Sequence, residues 1–227
     1  MSWREECGVF GVWGDTEASR LTYLGLYAQQ HRGQESCGIV SLDQEQHIIH
    51  KGLGLVGEVF QSSDLERLTG AAAIGHVRYS TTGENQLTNA QPLTAQLMNG
   101  PIAFAHNGNI VNSNILRSKL IKDGAIFQGT NDSEILLHLL AKNEKSDLIP
   151  CLMECLAHLV GAYSIVLLWK EGMVALRDPH GFRPLVLGRR TREGGKAVVV
   201  ASETCAFDLI GAEYVREIQP GEIFWVD

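Results

Sequence analysis

The sequence predicts a layered α+β fold, and three observations carry that expectation. Strand-like segments cluster at both ends of the chain, helix-patterned segments fill the middle, and the regular β-α-β alternation of a nucleotide-binding sheet is absent. Apolar residues make up 44% of the 227 and charged residues 20%, enough for a globular core and far from the composition of disorder. The length suits one large domain or two small ones.

The elements follow in order. Residues 7–13 read as a glycine-rich strand, and 16–31 as a helix with Leu21, Leu24 and Ala28 on one face, stopped at Gly33. Residues 37–43 and 46–51 form a hairpin, and 55–68 contain a short amphipathic helix. Two apolar runs, 71–79 and 102–106, end in polar, glycine-containing turns, the pattern of buried strands that deliver functional loops. Helices are expected over 113–122, 132–142 and 147–159. Strands are expected over 162–169, 173–177, 184–188, 197–202 and 222–226, interrupted by a short helix at 205–210. There is no internal repeat, low-complexity tract or long linker.

Charge and cysteine usage exclude several classes. The net charge of −7 offers no footprint for nucleic acid. The one basic cluster, Arg189-Arg190-Thr191-Arg192, reads as a solvated hairpin tip. No apolar run approaches the roughly 20 residues that span a bilayer, and the first six residues lack a secretory pattern, so a cytoplasmic location is expected. Five cysteines without an export signal read as thiols. Cys151 and Cys155 stand four apart with no second pair, which favours two thiols on one buried helix face over a structural zinc site. Neither G-x-x-x-x-G-K-[S/T] nor a strand-linked G-x-G-x-x-G is present, so phosphate cradling has no support.

Five polar segments are informative: Glu6 to Gly11, Gln30 to Glu35, Gly75 to Gly83, His106 to Asn109 and Thr130 to Glu134. Each alone has an ordinary structural reading. Cys7 reads as a core cysteine, Arg78 as a salt-bridged arginine, and Asn107-Gly108 as a tight turn. Asn131 with Glu134 reads as a capping box, with Asp132 in the first helical turn. Together, in this order and wording, the five resemble the glutaminase half of the amidophosphoribosyltransferase family. So do Ala201 to Asp208, Pro220 to Ile223, Arg177-Asp178-Pro179 and Arg183-Pro184, and the resemblance runs from about Glu5 to the end of the chain. Glucosamine-phosphate synthases look similar, but they begin directly at the nucleophile and carry Tyr-Asp where this chain has Gln34-Glu35. Cys37 departs from the family's usual small residue, a packing change.

The resemblance implies an N-terminal-nucleophile hydrolase fold: a four-layer αββα sandwich, with two mainly antiparallel sheets between helix layers. It implies that residues 1–6 are a leader and 7–227 a glutaminase domain that hydrolyses glutamine to glutamate and ammonia. Cys7 would be the nucleophile. A thiol of pKa about 8.5 needs a base, and in this arrangement the base is its own α-amine, of pKa about 7.7–8.0. Cys7 lacks that amine while Glu6 is attached, so cleavage of the Glu6–Cys7 bond is a chemical requirement. Asn107, through its side-chain amide, and Gly108, through its N–H, match the family's oxyanion hole, where glycine admits a close backbone approach. Arg78 and Asp132 match the residues that take the α-carboxylate and α-ammonium of glutamine. Arg32 matches a supporting arginine, and the loop from Tyr79 with Thr81, Thr82 and Gly83 resembles a lid over the substrate. The rival mechanism is a Cys-His triad with His76 or His106 as base, although either imidazole also serves to tie down a loop.

For the full-length family the resemblance implies a phosphoribosyltransferase half that binds phosphoribosyl pyrophosphate with Mg2+, a [4Fe-4S] cluster in some relatives, and a homo-oligomer. No part of this sequence matches that half, so no cofactor or metal is expected within the chain. It is either a piece of the larger enzyme, a stand-alone glutaminase serving another synthase, or, if the leader is never removed, a silent regulatory or scaffold domain.

Overall fold

The computed structural model describes residues 7–79, 86–98, 100–143, 145, 147–192 and 195–227. The expected leader 1–6 and the expected lid residues Thr81, Thr82 and Gly83 lie outside these. Strand β1 (Gly8–Trp13) leads to helix α1 (Ala18–Ala28) and a 3-10 turn at Gln30–Arg32. The hairpin β2 (Ser36–Asp43) and β3 (Gln46–Leu53) follows, then α2 (Val56–Val59), α3 (Ser62–Arg67) and β4 (Ala72–Arg78). Strands β5 (Leu93–Leu97) and β6 (Gly100–Ile110) precede three helices, α4 (Ser113–Lys122), α5 (Glu134–Lys142) and α6 (Leu148–Leu156). The chain closes with β7 (Gly161–Trp169), β8 (Gly172–Arg177), β9 (Val186–Arg192), β10 (Gly195–Ala201), α7 (Cys205–Ile210), β11 (Glu213–Glu217) and β12 (Ile223–Val226).

The strands pair into two antiparallel sheets. One has seven strands in the order β11-β9-β10-β1-β4-β2-β3, and the other has five, β12-β8-β7-β6-β5. Three apolar cores follow from the two-residue period of the strands. Phe10, Val12, Ala73 and Val77 point outward from the seven-stranded sheet and pack on Leu21 and Leu26 of α1 and Phe207 of α7. Ile102, Phe104 and Leu167 point outward from the five-stranded sheet onto Leu136 and Leu140 of α5 and Leu152 of α6. Val9, Val40, Ile74, Ala103, Ala105, Val166 and Met173 fill the space between the sheets. The result is the four-layer αββα sandwich expected from the resemblance. Cys151 and Cys155 are buried on α6 in its core against the five-stranded sheet, as thiols packed beside Leu152.

Several local expectations fail for identifiable reasons. Asn107-Gly108 is not a turn: β6 runs on to Ile110, with Asn107 and Gly108 paired to Ser164 and Tyr163 of β7. The basic cluster lies at the far end of the β9–β10 hairpin, with Arg192 paired to Gly195 and with Arg189 and Thr191 exposed, as expected. Arg189 to Arg192 complete β9, and Arg190 is tied to Asp15 at 2.6 Å and to the Ile210 carbonyl at 2.9 Å. The helix expected over 16–31 ends at Ala28 and tightens into the 3-10 turn that carries His31 and Arg32. No capping box forms at Asn131. Its Oδ1 accepts from Ser133 N–H, while the Glu134 carboxylate accepts from the N–H groups of Gln128 and Gly129. Strands β5 and β11 were not expected. Edge strand β5 is five residues long and follows a proline, and β11 is almost wholly exposed and broken by a bulge between Tyr214 and Arg216.

Helix α1 lies close on β1 because Gly25 has no side chain: a Cβ there would meet the Phe10 ring, with Cζ at 2.6 Å. Gly25→Ala gains about 1 kcal/mol of helix propensity but overpacks this contact by about 1–3 kcal/mol. The expected outcome in calorimetry is a net loss on the order of 1 kcal/mol, a fall in Tm of roughly 2–4 °C. A raised Tm would show that α1 is free to move away from the sheet.

Candidate active site

Strand parity brings the candidate residues together. Cys7 precedes β1 in the same alternation as Val9, and Arg78 ends β4 in alternation with Ile74 and His76, so both belong to the inter-sheet face at one end of the seven-stranded sheet. Register sets them side by side, since Gly8 pairs with Val77 and Val9 with His76. On β6, Asn107 shares the parity of Ala103 and Ala105 and therefore faces the same space from the opposite sheet. The sheets are pinned there by a hydrogen bond between His76 Nε2 and the His106 carbonyl, 3.0 Å long and one residue from Asn107.

The nucleophile candidate is held on several sides. The Cys7 N–H donates to the Arg32 carbonyl at 2.8 Å, and Arg32 Nε donates back to the Cys7 carbonyl at 2.7 Å. The thiol donates to the Tyr79 carbonyl at 3.3 Å, and the Tyr79 N–H approaches the sulfur at 3.5 Å. Cys7 has φ 66°, in the left-handed region, where a residue with a Cβ is strained by about 1–2 kcal/mol. Arg32 is buried at 1% exposure, and its Nη1 is paired with Glu203 Oε1. Arg78 is buried as well, at 3%, and faces Glu35 at 3.6 Å.

Asn107 is the anomaly. Its side-chain nitrogen and oxygen are both buried, and neither has a hydrogen-bond partner among the described residues. A buried amide left unsatisfied costs about 1–3 kcal/mol per group, so it calls for a role beyond packing. Gly108 next to it has φ 148°, and a Cβ there would collide with the Ala162 carbonyl. The close approach that requires glycine is therefore to neighbouring strand β7, whereas the sequence reading placed it at the substrate.

Asp132 is buried just before α5, and its Oδ2 accepts from the Ile110 N–H at 2.7 Å, which ties it to the end of β6 beyond Asn107. A framework that the sequence reading missed secures this segment. Asn89 Oδ1 accepts from the N–H groups of Thr130 and Asn131, and Gln91 Oε1 accepts from the His106 N–H at 2.7 Å. These contacts join residues 15 to 42 positions apart and carry no local sequence signal.

Neither histidine is arranged to serve the thiol as a base. His106 shares the outward parity of Phe104, and its Nδ1 lies 2.7 Å from Ser133 Oγ on the α5 side. Burial holds it well below the usual imidazole range, against a smaller opposing pull from Asp132. His76 faces the inter-sheet space, but burial drives it down to about 3, and its Nε2 is committed to the His106 carbonyl. Both histidines act as ties between layers. Among the described residues, no group of three or more His, Cys, Asp or Glu side chains is placed to hold a metal ion. No helix among them is long and apolar enough to cross a membrane.

Comparison with known proteins is consistent with this geometry. The glutamine amidotransferase domain family matches residues 76–208. The chain is 51% identical to amidophosphoribosyltransferase 2, chloroplastic, of Arabidopsis thaliana, over 99% of this chain and 40% of that protein. It is 47% identical to the amidophosphoribosyltransferase of Bacillus subtilis, over 98% of this chain and 46% of the relative. A solved structure described as the allosteric regulatory enzyme of purine biosynthesis superposes with a TM-score of 0.92 at 46% identity, covering 97% of this chain and 47% of the other. The chain thus spans less than half the length of these relatives, and it belongs to the glutamine amidotransferase domain family.

Proposed function

We propose that residues 7–227 form a glutaminase domain in which Cys7, freed by cleavage of the Glu6–Cys7 bond, is the nucleophile. The observation that carries this reading is the buried, unpartnered amide of Asn107, facing from one sheet the end of the other that bears Cys7 and Arg78. Cleavage also removes the strained φ of Cys7, because a chain terminus has no such dihedral. The neutral α-amine takes the thiol proton, and sulfur attacks the side-chain amide carbon of glutamine. The C–S bond forms as the carbonyl π pair moves onto oxygen, where Asn107 and Gly108 N–H stabilise the charge. Collapse breaks the C–N bond, and the ammonium proton leaves with ammonia. Water then cleaves the thioester, giving glutamate and restoring the thiol.

Arg78 holds the α-carboxylate of glutamine and Asp132 its α-ammonium, with Arg32 supporting the nucleophile and Thr81, Thr82 and Gly83 covering the substrate. In the whole protein, a phosphoribosyltransferase half takes the ammonia to phosphoribosyl pyrophosphate and makes 5-phosphoribosylamine, the first committed step of purine synthesis. That half would bring the Mg2+, any [4Fe-4S] cluster and the homo-oligomer contacts. No step here runs through either inorganic group.

The pH profile separates the two bases. With the amine as base, kcat/KM falls as pH drops through roughly 7–8. A base at His76, titrating at about 3, would keep activity into strongly acidic solution. Intact mass provides a second check: active protein should lack residues 1–6, and full activity with the leader attached would remove the amine from the mechanism. Asn107→Ala should lower kcat by roughly 100- to 1000-fold with little change in KM. Unchanged kcat would reduce Asn107 to a packing residue. Arg78→Lys should raise the glutamine KM about tenfold or more, since a bidentate contact becomes a point charge. Asp132→Asn should impair glutamine yet spare γ-glutamyl amides without an α-ammonium, and equal losses would leave Asp132 only its bond to Ile110.

A further inference from the structure

We propose that Glu203 is a positioning residue of this site: through Arg32 it fixes the backbone of Cys7 and balances the charge around the Cys7 amine. The inference rests on the reading of Cys7 as an N-terminal nucleophile. Glu203 lies in the turn between β10 and α7, 171 residues from Arg32, and its carboxylate joins Arg32 Nη1 and, at 2.9 Å, His31 Nε2. The other side of the same guanidinium binds the Cys7 carbonyl through Nε, while the Arg32 carbonyl takes the Cys7 N–H. Arg32 therefore grips both backbone groups of the nucleophile, and Glu203 orients Arg32. The planar fork of arginine suits this, because it places Nε and Nη1 on partners of fixed relative direction.

The preceding residue reinforces the grip. Ser202 N–H donates to the Val9 carbonyl at 3.0 Å, and Val9 N–H donates to Ser202 Oγ at 3.0 Å. The segment Ser202-Glu203 thus brackets the start of β1, one residue on Val9 and the next, through Arg32, on Cys7. This matters most after processing, when Cys7 loses its preceding peptide and its position depends on the remaining bonds. A displacement of about 1 Å at a reacting atom costs on the order of 100-fold in rate.

The charges facing the amine can be named from each neighbouring element. The 3-10 turn contributes Arg32 and His31, and the turn into α7 contributes Glu203 and Cys205, whose sulfur is 3.5 Å from Glu203 Oε2. Strand β4 contributes His76 and Arg78, with Tyr79 after it and Glu35 against Arg78. Burial raises the Glu203 carboxyl, but the hydrogen bond and charge of Arg32, with His31 behind them, outweigh it and hold it below the ordinary range. Burial first, and the Glu203 charge second, keep Cys205 a neutral thiol. Glu203 is thus an anion that offsets Arg32 beside the amine. Without its charge less of the guanidinium's positive charge is offset, which disfavours the α-ammonium, so the amine titrates lower.

The test is glutaminase kinetics against pH on leader-free protein, verified by intact mass, for wild type, Glu203→Gln and Glu203→Asp. Glu203→Gln should cut kcat roughly tenfold or more with KM within about twofold. It should also move the acid limb of the profile down by roughly 0.5–1 pH unit. Glu203→Asp keeps the charge but draws it back by one methylene, so kcat should fall with the acid limb in place. Folded Glu203→Gln with wild-type kcat and an unmoved limb overturns the proposal, even if Tm drops. If that variant does not fold, Glu203→Asp decides: reduced kcat at constant KM carries the proposal and wild-type kcat overturns it. Leader-free wild type inactive on glutamine would instead overturn the Cys7 reading and this inference with it. An active wild type with indifferent Glu203 variants overturns this inference alone.

Discussion

The site depends on one constraint, the two-residue period of strands in two sheets stacked face to face. Because alternate side chains point to opposite faces, a residue's parity decides whether it meets a helix or the other sheet. Cys7 follows Val9, Arg78 follows Ile74, and Asn107 follows Ala105, all toward the inter-sheet space. A register slip of one residue in β6 would send Asn107 toward α5 and His106 toward the inter-sheet space that Cys7 faces. Pairing over the full length of β6 with β7, from Ile102–Trp169 to Ile110–Gly161, fixes that register.

Concentrating polar groups inside a sandwich is costly, and the chain offsets the cost unevenly. Arg32 and Arg78 are buried cations, and each has an acidic neighbour, Glu203 and Glu35. His76 and His106 stay neutral, because burial outweighs every charge that would protonate them. The Asn107 amide has no such compensation, and Cys7 sits in a left-handed backbone conformation. Backbone strain at Cys7 and an amide with both polar atoms unsatisfied at Asn107 fall on the two residues assigned to the chemistry, although other buried polar atoms, His76 Nδ1 and His106 Nε2 among them, also lack a partner among the described residues. Both features are expected where stability is exchanged for preorganisation.

Much of the fold was legible because most strands carry a strong apolar signal of their own. Those at 71–79 and 162–169 are dense in Val, Ile, Leu and Ala, and both formed. Strand β11 was illegible because it has neither apolar alternation nor burial, and its pairing with β9 alone makes it a strand. The end of β6 misled for a different reason. Asn-Gly favours turns locally, but the backbone at Gly108 adopts φ 148° within a ladder that β7 completes, so tertiary pairing overrides the local preference. At the site, the residues proposed from the resemblance on the two sheets converge on one end of the sandwich. Glu203, Gln91 and Asn89 did not stand out, because each acts across 15 to 171 positions, through bonds that leave no mark on neighbouring residues.

The spacing of the sheets links stability to chemistry. Small residues line the gap near the site: Gly11 on β1, Ala103 and Ala105 on β6, and Ala175 on β8. At Gly11 even one carbon would press on Met173 Sδ at 2.8 Å and Val166 Cγ1 at 2.9 Å. Gly11 shares its face with Val9 and Cys7, so its contact with the opposite sheet fixes how far Cys7 stands from the strand that carries Asn107. Filling this gap would separate Cys7 from the strand that carries Asn107 before it disturbed either outer core, since those are packed by helices on the far faces. Packing between the sheets therefore bears on the geometry proposed for catalysis, because the gap beside Gly11 excludes even one added carbon.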